Sequence, residues 1–245
     1  MTAIRIFGLH AAQALLDYSP ERIVRVWVDA QRRDQRLSSI SEALAAQHIQ
    51  AQMTDRKTLQ RLASGQNHQG IVIEAHMPQA LDEQALKKAV AALQKTALFL
   101  VLDHVQDPHN LGACLRSADA TAVDGLILPK DQAVGITPVV CKVASGAAES
   151  VPVYQVTNLA RTLRWLKGQN IWIVGAAGEA DDTLYQVDMT VPLALVVGAE
   201  GKGMRRLIRE SCDLLVRLPM QGEVQSLNVS VAAGVLLYEA VRQRL

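Results

Sequence analysis

Two uninterrupted apolar runs dominate the second half of the chain, LFLVL within residues 98–105 and LALVV within residues 193–198. A strand with one wet face alternates apolar and polar residues, whereas a strand buried on both faces is apolar throughout. These runs therefore predict a parallel sheet that is flanked by helices on both faces. Helical patterns lie between most of the predicted strands, which are Leu98–Val105, Gly125–Leu128, Val151–Val156, Ile171–Gly175, Leu193–Gly198 and Leu214–Leu218.

A smaller α/β pattern precedes this sheet. Helices are predicted at Ala11–Leu16 and Leu37–Gln47, and strands at Ile23–Val28 and Gln69–Ala75. The stretch that follows contains a proline, then charged residues and alanines, which is typical of a linker with some helix. We therefore predict an N-terminal α/β domain over residues 1–76, a linker over 77–96 and a larger α/β domain over 97–245.

Composition excludes several classes of protein. Hydrophobic residues make up 49% of the chain and aromatic residues 4%, so we expect an aliphatic core and no extended disorder. The net charge of +1 does not indicate a strongly basic nucleic-acid binder, although a local basic face is compatible with it. Three scattered cysteines favour neither a zinc site nor a disulfide framework, and no apolar run approaches the roughly 18 residues of a membrane span. We expect a cytoplasmic protein that needs no metal.

Ligands of parallel sheets bind beyond the carboxyl ends of the strands, which directs attention to three loops. The first leads into DPHNLGACLRSADA, residues 107–120, where Pro108 marks a helix start and Asn110 is a plausible N-cap. Arg116 then lies about a turn and a half inside the helix. It either pairs with Asp119 on the helix surface or points at a phosphate near the strand ends.

The second loop is VVGAEGKGM, residues 196–204, between a buried strand and a helix. Its glycines allow backbone amides to approach a ligand closely. The spacing is G-x-x-G-x-G, which is neither the dinucleotide pattern nor a phosphate-binding P-loop. Glu200 either contacts an adenosine-type ligand or simply places negative charge near a helix start.

The third loop, LPMQGEVQSLN at residues 218–228, leads into a helix that is apolar on nearly every face and is therefore expected to be buried. Ser226 is a candidate N-cap of this helix. Asn228 is expected one step inside the helix, where an unpaired buried amide would cost about 1–3 kcal/mol. A hydrogen-bond partner or a ligand is therefore expected beside it.

In this order, the three motifs resemble those of the SpoU-type RNA 2′-O-ribose methyltransferases, a branch of the SPOUT class. Asn110 and Arg116 match the first motif, Gly198-Ala199-Glu200-Gly201 the second, and Leu218-Pro219-Met220 with Ser226-Leu227-Asn228 the third. HQGI at 68–71, KVASGAAESVP at 142–152 and NIWIVGAAGEA at 170–180 are similar to the bacterial members that methylate a guanosine 2′-hydroxyl of 23S ribosomal RNA. The likeness covers nearly the whole chain.

The resemblance implies a fold, a cofactor and partners. The fold would be a SPOUT-type parallel sheet with a C-terminal trefoil knot, although knots are rare, preceded by a ribosomal-protein-like RNA-binding domain. The cofactor would be S-adenosylmethionine, and the protein would form a homodimer through its catalytic domain. The residues implied to bind the cofactor are Gly198, Leu218, Met220, Ser226 and Leu227. Those implied to act in catalysis are Arg116, Asn110, Glu200 and Asn228.

The resemblance assigns Arg116 the central part in methyl transfer. A guanidinium keeps its proton in proteins, so a role as general base would need strong local help. We expect Arg116 instead to hold a phosphate and to stabilise charge that develops on the ribose oxygen. For RNA binding we single out Arg32 and Arg33, which lie in the basic run Arg22, Arg25, Arg32, Arg33 and Arg36. A second group, Arg205, Arg206 and Arg209, flanks the second motif, and either group is also compatible with a solvated helix face.

Three alternatives are weighed against this hypothesis. A non-catalytic RNA-binding protein could keep the fold, but retention of all four catalytic positions disfavours it. A nicotinamide-dependent dehydrogenase is disfavoured by the glycine spacing. The same chemistry on transfer RNA is disfavoured only by the likeness of the N-terminal domain.

Overall fold

A computed structural model describes residues 3–199 and 201–245 of the chain. The strands are β1 (Ala3–Phe7), β2 (Ile23–Asp29), β3 (Ala51–Thr54), β4 (Ile71–His76), β5 (Leu98–Asp103), β6 (Gly125–Pro129), β7 (Val153–Val156), β8 (Trp172–Ala176), β9 (Asp182–Thr183), β10 (Leu193–Gly198) and β11 (Leu214–Arg217). The helices are α1 (Leu9–Tyr18), α2 (Gln35–Ala46), α3 (Arg56–Leu62), α4 (Glu83–Ala92), α5 (Pro108–Ala120), α6 (Pro138–Ala144), α7 (Ala147–Ser150), α8 (Leu159–Lys167), α9 (Arg206–Glu210) and α10 (Val229–Arg244). Short 3-10 turns occur at Pro20–Arg22 and Leu184–Gln186.

The chain divides into two compact units. The first contains residues 1–78 together with 136–150, and the second contains 79–135 and 151–245. The first unit therefore takes α6 and α7 from the middle of the chain. In the predicted division, those residues belonged to the larger domain.

The first unit is built on a four-stranded sheet in the order β1-β4-β2-β3. Only β2 and β3 are parallel; β4 runs antiparallel to both of its neighbours. One face packs on α1 and α2 through buried residues such as Leu15, Ile40 and Ile73. The opposite face packs on α3, where Leu59 meets Val72. Successive strand residues point to opposite faces, which is why neighbouring residues of β4 serve both cores.

The helices α6 and α7 are fixed to the first unit by close packing and by one buried ion pair. A Cβ on Gly146 would lie 3.3 Å from the Cβ of Ala14, so this glycine lets the turn before α7 approach α1 closely. Arg22 forms an ion pair with Glu149, whose side chain is almost fully buried. Burial raises the pKa of Glu149, and the neighbouring Arg22 opposes that rise.

The second unit is built on a seven-stranded sheet in the order β7-β6-β5-β10-β8-β11-β9, in which every pairing between described strands is parallel. Helices α4, α8 and α9 cover one face and contribute Leu86, Leu163 and Ile208 to its core. Helices α5 and α10 pack on one another, and they contact strands β6 and β10 respectively. The predicted parallel sheet flanked by helices is confirmed.

All six strands predicted for this unit are present, and β10 has the predicted bounds. The segment 77–96 contains the helix that was expected in the linker, α4, but it packs into the large unit: Leu86 is fully buried against the sheet, and Leu81 pairs with Tyr154 of β7. Leu86, Ala89, Val90 and Leu93 are spaced as i, i+3, i+4 and i+7, so the sequence did contain the pattern of a helix with one buried face.

Several absences hold for the described residues. No helix there has the length and apolar character that a bilayer crossing would need. No group of three or more His, Cys, Asp or Glu side chains in the same part of the chain could hold a metal ion. Cys114, Cys141 and Cys212 are free thiols.

Candidate functional site

The three loops singled out in the sequence meet at one edge of the large sheet. Strands β5 and β10 are adjacent and parallel, with Asp103 opposite Gly198 at their carboxyl ends. Strand β11 runs parallel to them from the far side of β8. The loops that follow these three strands therefore leave the sheet at the same edge, which is where parallel sheets bind ligands.

A cavity of about 580 Å³, here called the larger cavity, opens between the loops that follow β8, β10 and β11. All five residues predicted to bind a cofactor line it: Gly198, Leu218, Met220, Ser226 and Leu227. Backbone and apolar groups dominate its wall on that side. Across the opening, Arg209 of α9 and Glu179 of the loop after β8 form an ion pair, and both line the same cavity.

Gly198 determines how closely the second loop folds back. A Cβ at this position would overlap the backbone carbonyl of Gly203 and the amide nitrogen of Met204. The loop closes through a bridge between Ala199 and Gly203, and Gly203 has a positive φ of 64° that favours glycine. Glycine is therefore required at Gly198 for steric reasons and suits Gly203 for conformational ones.

Asp103 anchors the end of the same loop. Its carboxylate is fully buried and accepts hydrogen bonds from the backbone N–H of Arg205 at 2.8 Å and from its Nε at 2.8 Å. A buried carboxylate needs such partners, because an unpaired charge inside a protein is costly. This contact ties the carboxyl end of β5 to the start of α9. Arg205 is thus paired with Asp103, although its side chain remains partly exposed and lines a cavity at this edge.

Asn228 and Asn110 are brought into direct contact. The Nδ2 of Asn228 donates to the Oδ1 of Asn110 at 2.9 Å, across 118 positions of sequence. The Oδ1 of Asn228 accepts from the backbone N–H of Ser230 at 2.9 Å and from its hydroxyl at 2.6 Å. The start of α10 is therefore joined to the first turn of α5 by side chains from two of the three motifs.

The predicted helix caps were wrong by two or three residues. Asp107 is the N-cap of α5, and its carboxylate accepts from the backbone N–H of His109, which lowers the pKa of Asp107. Asn110 lies inside the helix instead. Asn228 is the N-cap of α10, whereas Ser226 lies in the exposed loop before it. Capping leaves the Nδ2 of Asn228 available for Asn110.

A smaller cavity of about 440 Å³ adjoins the larger one and shares Ala199, Lys202, Gly203 and Val229 with it. Asn110 lines the smaller cavity. So do His104 and Gln132, which hydrogen-bond to each other through their side chains and have positive φ values of 63° and 59°. Left-handed backbone at two non-glycine residues is strained, and strain of this kind clusters at functional sites.

Arg116 lies apart from this group. It is on the exposed side of α5 and lines neither cavity. The anticipated pair with Asp119 is not formed, and within residues 3–199 and 201–245 no other carboxylate forms a salt bridge with Arg116. The neighbouring residue Ser117 faces α10, where it lies beside Gly234.

The helix α10 is less buried than its sequence suggested. Leu236 and Leu237 are fully buried, but Val231 is 50% exposed and Tyr238 is 56% exposed. Val231, Val235 and Tyr238 are spaced as i, i+4 and i+7, so they form one apolar stripe along the outside of the helix. The expectation of an entirely buried helix is therefore wrong for this face.

The remaining predicted residues are Glu200 and the basic residues of the N-terminal domain. Glu200 lies outside the described residues. Of the predicted basic contacts, Arg33 is exposed, and Arg32 pairs with Asp34 and lines a separate cavity of the first unit. In the two basic groups named from the sequence, most of the other arginines are paired with carboxylates: Arg22 with Glu149, Arg25 loosely with Glu74, Arg205 with Asp103, Arg206 with Glu210 and Arg209 with Glu179.

Sequence reasoning missed five polar residues at this edge, namely Asp103, His104, Gln132, Glu179 and Lys202. For Asp103 and His104 a signal existed, because both lie at the end of a predicted buried strand. Gln132 and Glu179 follow neighbouring strands, and their place is fixed only when the strand order is known.

Comparison with known proteins gives consistent results. Residues 97–238 match the SpoU rRNA Methylase family, and residues 5–81 match a family described as RNA 2′-O ribose methyltransferase substrate binding. A protein of Shewanella oneidensis named 23S rRNA (guanosine-2′-O-)-methyltransferase RlmB is 56% identical over 98% of this chain and 97% of its own length.

Two solved structures extend the comparison to the fold. A structure of an RNA 2′-O ribose methyltransferase superposes with a TM-score of 0.77 at 28% identity, covering 99% of this chain and 89% of that one. The methyltransferase AviRb from Streptomyces viridochromogenes, solved in complex with AdoMet, superposes with a TM-score of 0.78 at 24% identity, covering 99% and 90%.

Proposed function

The chain belongs to the SpoU rRNA methylase family, and we propose that it transfers a methyl group from S-adenosylmethionine to the ribose 2′-hydroxyl of a guanosine in 23S ribosomal RNA. The substrate is that of the relative which is 56% identical over nearly the full length of both chains. The observation that carries the proposal is the contact of Asn228 with Asn110 beside a cavity lined by all five predicted cofactor residues. Family membership excludes the dehydrogenase alternative.

The larger cavity fits such a cofactor. Its volume lies within the roughly 300–1,000 Å³ of small-molecule sites. Backbone groups at Gly198 and Gly201 can bond to polar edges of a nucleoside, while Leu218, Met220 and Leu227 cover an apolar surface. When bound, S-adenosylmethionine supplies an activated methyl group on a sulfonium. The chain then has to hold the reactants in line and exclude competing water.

We place the target nucleotide in the smaller cavity, because Asn110 lines it and because it shares Val229, the residue after Asn228, with the larger cavity. The two asparagines position the ribose there through hydrogen bonds. Glu200, which follows Ala199 in a loop shared by both cavities, is assigned to the same group on the strength of its motif alone. Lys202 lines both cavities and adds positive charge beside them.

Arg116 holds the phosphate next to the target ribose and stabilises negative charge that develops on the attacking oxygen. A permanently charged guanidinium suits this role better than that of a base. Since Arg116 is exposed and lines neither cavity of its own chain, the proposal requires a second subunit to bring it to the reacting atoms.

We propose that two copies of the chain pair through the catalytic unit. The apolar stripe on α10, with Val231 and Tyr238 exposed and Val235 half-buried, is the surface that such pairing would bury. The helix α10 packs against α5, which carries Arg116. A dimer through this stripe would place the α5 helices of both copies near both sites.

The trefoil knot is part of the same proposal. After β11 the chain lies on the far side of β8, and it then returns past the larger cavity to α10, which packs on α5 and β10. Such a return beside the loop at 199–203 supports a threaded C-terminus. We further assign RNA binding to the N-terminal residues 1–76, with Arg32 and Arg33 as contacts, and a cytoplasmic location, where ribosomal RNA is found.

The experiment that tests the proposal compares Arg116→Ala with Arg164→Ala, an exposed arginine on α8. Both proteins are incubated with labelled S-adenosylmethionine and 23S ribosomal RNA from cells that lack the protein. Methyl transfer should fall by two or more orders of magnitude in Arg116→Ala only, while cofactor affinity measured by calorimetry stays normal in both. Full turnover by Arg116→Ala would refute the assigned role. Failure of the unmodified protein to methylate the RNA would refute the function.

A further inference from the structure

A polar cavity of about 450 Å³ lies at one edge of the small sheet, and it is here called the N-terminal cavity. Strands β2 and β3 run parallel and end there, with Asp29 opposite Thr54. The turn before β4 closes the cavity, since the backbone N–H of Asp29 donates to the carbonyl of Gly70 at 2.9 Å. The carboxyl ends of neighbouring parallel strands are a common place for ligands.

His68 lines this cavity and is only 6% exposed. Its Nδ1 accepts a hydrogen bond from the backbone N–H of Gly70 at 3.1 Å, so the ring proton of the neutral form is on Nε2. Burial lowers the pKa of His68, which favours that neutral form. No residue within 3–199 or 201–245 accepts a hydrogen bond from Nε2. Because Nε2 is open to the cavity, it can donate to a molecule bound there.

Two guanidinium groups share the cavity with His68. Arg32 lies against Gly70, where a Cβ would come within 2.8 Å of its Cδ, and its Nε is held by Asp34. Arg56 is exposed at the start of α3, and no carboxylate among the described residues forms a salt bridge with it. Arg32 is thus held in place by Asp34, whereas the guanidinium of Arg56 is available to bind an anion.

The fourth group is a carboxylate. Asp29 is 7% exposed, lines the cavity, and accepts one hydrogen bond from the backbone N–H of Gln31 at 3.0 Å. A matching ligand therefore combines an anionic group, a hydrogen-bond acceptor and a hydrogen-bond donor. A nucleotide has all three in its phosphate and the edge of its base. Bases that are unstacked from a single strand are read in this way by RNA-binding proteins.

We propose that the N-terminal cavity binds one unpaired nucleotide of the substrate RNA, with its phosphate at Arg32 and Arg56 and the edge of its base at His68 and Asp29. The inference rests on the proposed function for the identity of the RNA. It deepens that function by placing Arg32, already assigned to RNA, in a defined subsite for a single nucleotide. The match of residues 5–81 to a substrate-binding family supports RNA as the source of the nucleotide.

The test uses the full chain and a fluorescently labelled single-stranded RNA of ten nucleotides, with the same strand in a duplex as comparison. Arg56→Ala should weaken single-strand binding by about tenfold or more and reduce the slope of affinity against salt by about one. Lys57→Ala, the adjacent exposed cation on α3, is the matched control and should leave both quantities almost unchanged. Binding of the duplex should be insensitive to Arg56→Ala.

His68→Asn separates the base contact from charge. The asparagine oxygen can replace Nδ1 as acceptor for Gly70, while the donor at the outer position of Nε2 is lost and the amide N–H groups lie nearer the backbone. Single-strand affinity should fall by about threefold to tenfold with no change in salt slope. The subsite is refuted if Arg56→Ala behaves as Lys57→Ala does, if His68→Asn binds normally, or if guanosine 5′-monophosphate binds as tightly as the RNA. Methylation of ribosomal RNA by the unmodified protein is scored separately, so loss of the proposed function would be recognised independently.

Discussion

Gly198→Ala is the sharpest perturbation of the site that a single methyl group can produce. The added Cβ would overlap the carbonyl carbon and oxygen of Gly203 and the amide nitrogen of Met204. These are backbone atoms and cannot rotate away as a side chain would. Restoring ordinary contact, which begins at 3.4 Å, requires the loop to shift by roughly 1 Å or more.

Two effects of different size follow from that shift. Overpacking of this kind destabilises a fold by about 1–3 kcal/mol, so the protein should remain folded. The displaced residue Gly203 lines both cavities, and a misplacement of about 1 Å near reacting groups costs about 100-fold in rate. We therefore expect Gly198→Ala to bind S-adenosylmethionine at least about tenfold more weakly and to lose most methyl transfer, while its melting temperature changes modestly.

Calorimetric titration with S-adenosylmethionine and thermal denaturation measure these quantities on the same preparation. Gly222→Ala is the matched control, because a Cβ there meets nothing within 4 Å and the residue lies in the loop before α10. The reasoning is wrong if Gly198→Ala binds the cofactor as tightly as Gly222→Ala does. It is also wrong if the two proteins lose cofactor affinity equally.

Three further outcomes are expected. In a double-mutant cycle on the free energy of unfolding, Asn110→Ala and Asn228→Ala should couple by about 1 kcal/mol, and additive effects would show that their hydrogen bond contributes nothing. Arg116→Ala alone and Gly198→Ala alone should each fail to methylate RNA. A mixture of the two variants should regain activity if each site combines residues of both subunits. An inactive mixture would show that every site lies within one chain. Arg242 lowers the pKa of Glu239 from 4.5 to about 2, so the ionised carboxylate stabilises the fold above pH 4.5 and this stabilisation is lost as the pH falls toward 2. The difference in melting temperature between Glu239→Gln and the unmodified protein should accordingly shrink over that range, and a constant difference would contradict it.

The large sheet could be predicted from the sequence because its strands are buried on both faces. Continuous apolar runs such as β5 and β10 are unambiguous when helical patterns separate them. The short strand β3 (AQMT) has no such run, and its residues are largely exposed at the edge of the small sheet. The strand forms because it pairs with β2, and a partner that is distant in sequence cannot be identified from the residues of β3 themselves.

The helix caps show a different limit. Proline favours the first position of a helix, so Pro108 makes Asp107 the expected N-cap. The sequence therefore did indicate the correct cap, although Asn110 was chosen because it is also a good cap residue. At α10, Ser226 and Asn228 are both good cap residues, and propensity alone cannot choose between them. The contact of Asn228 with Asn110 decides the matter, and it joins residues 118 positions apart.

Packing between distant segments explains the remaining differences. Nothing in the residues of α7 indicates that Glu149 will pair with Arg22, because their partnership depends on how α1 and α7 meet. The family resemblance is confirmed, and it indicated site residues that local patterns did not. A family motif groups residues that long-range contacts bring together, although it does not show the geometry of those contacts.

The position of Arg116 is the clearest consequence of helix geometry for the mechanism. Asn110 and Arg116 are six residues apart on α5, so they are separated by about 9 Å along the axis and by about 120° around it. Asn110 faces α10 and the cavities, and Arg116 therefore cannot face them from the same helix. This geometry agrees with the proposal that the two residues serve different sites of a dimer. In the proposed dimer, the apolar stripe on α10 is the surface through which a second copy would bring its own Arg116 to the smaller cavity, which Asn110 lines.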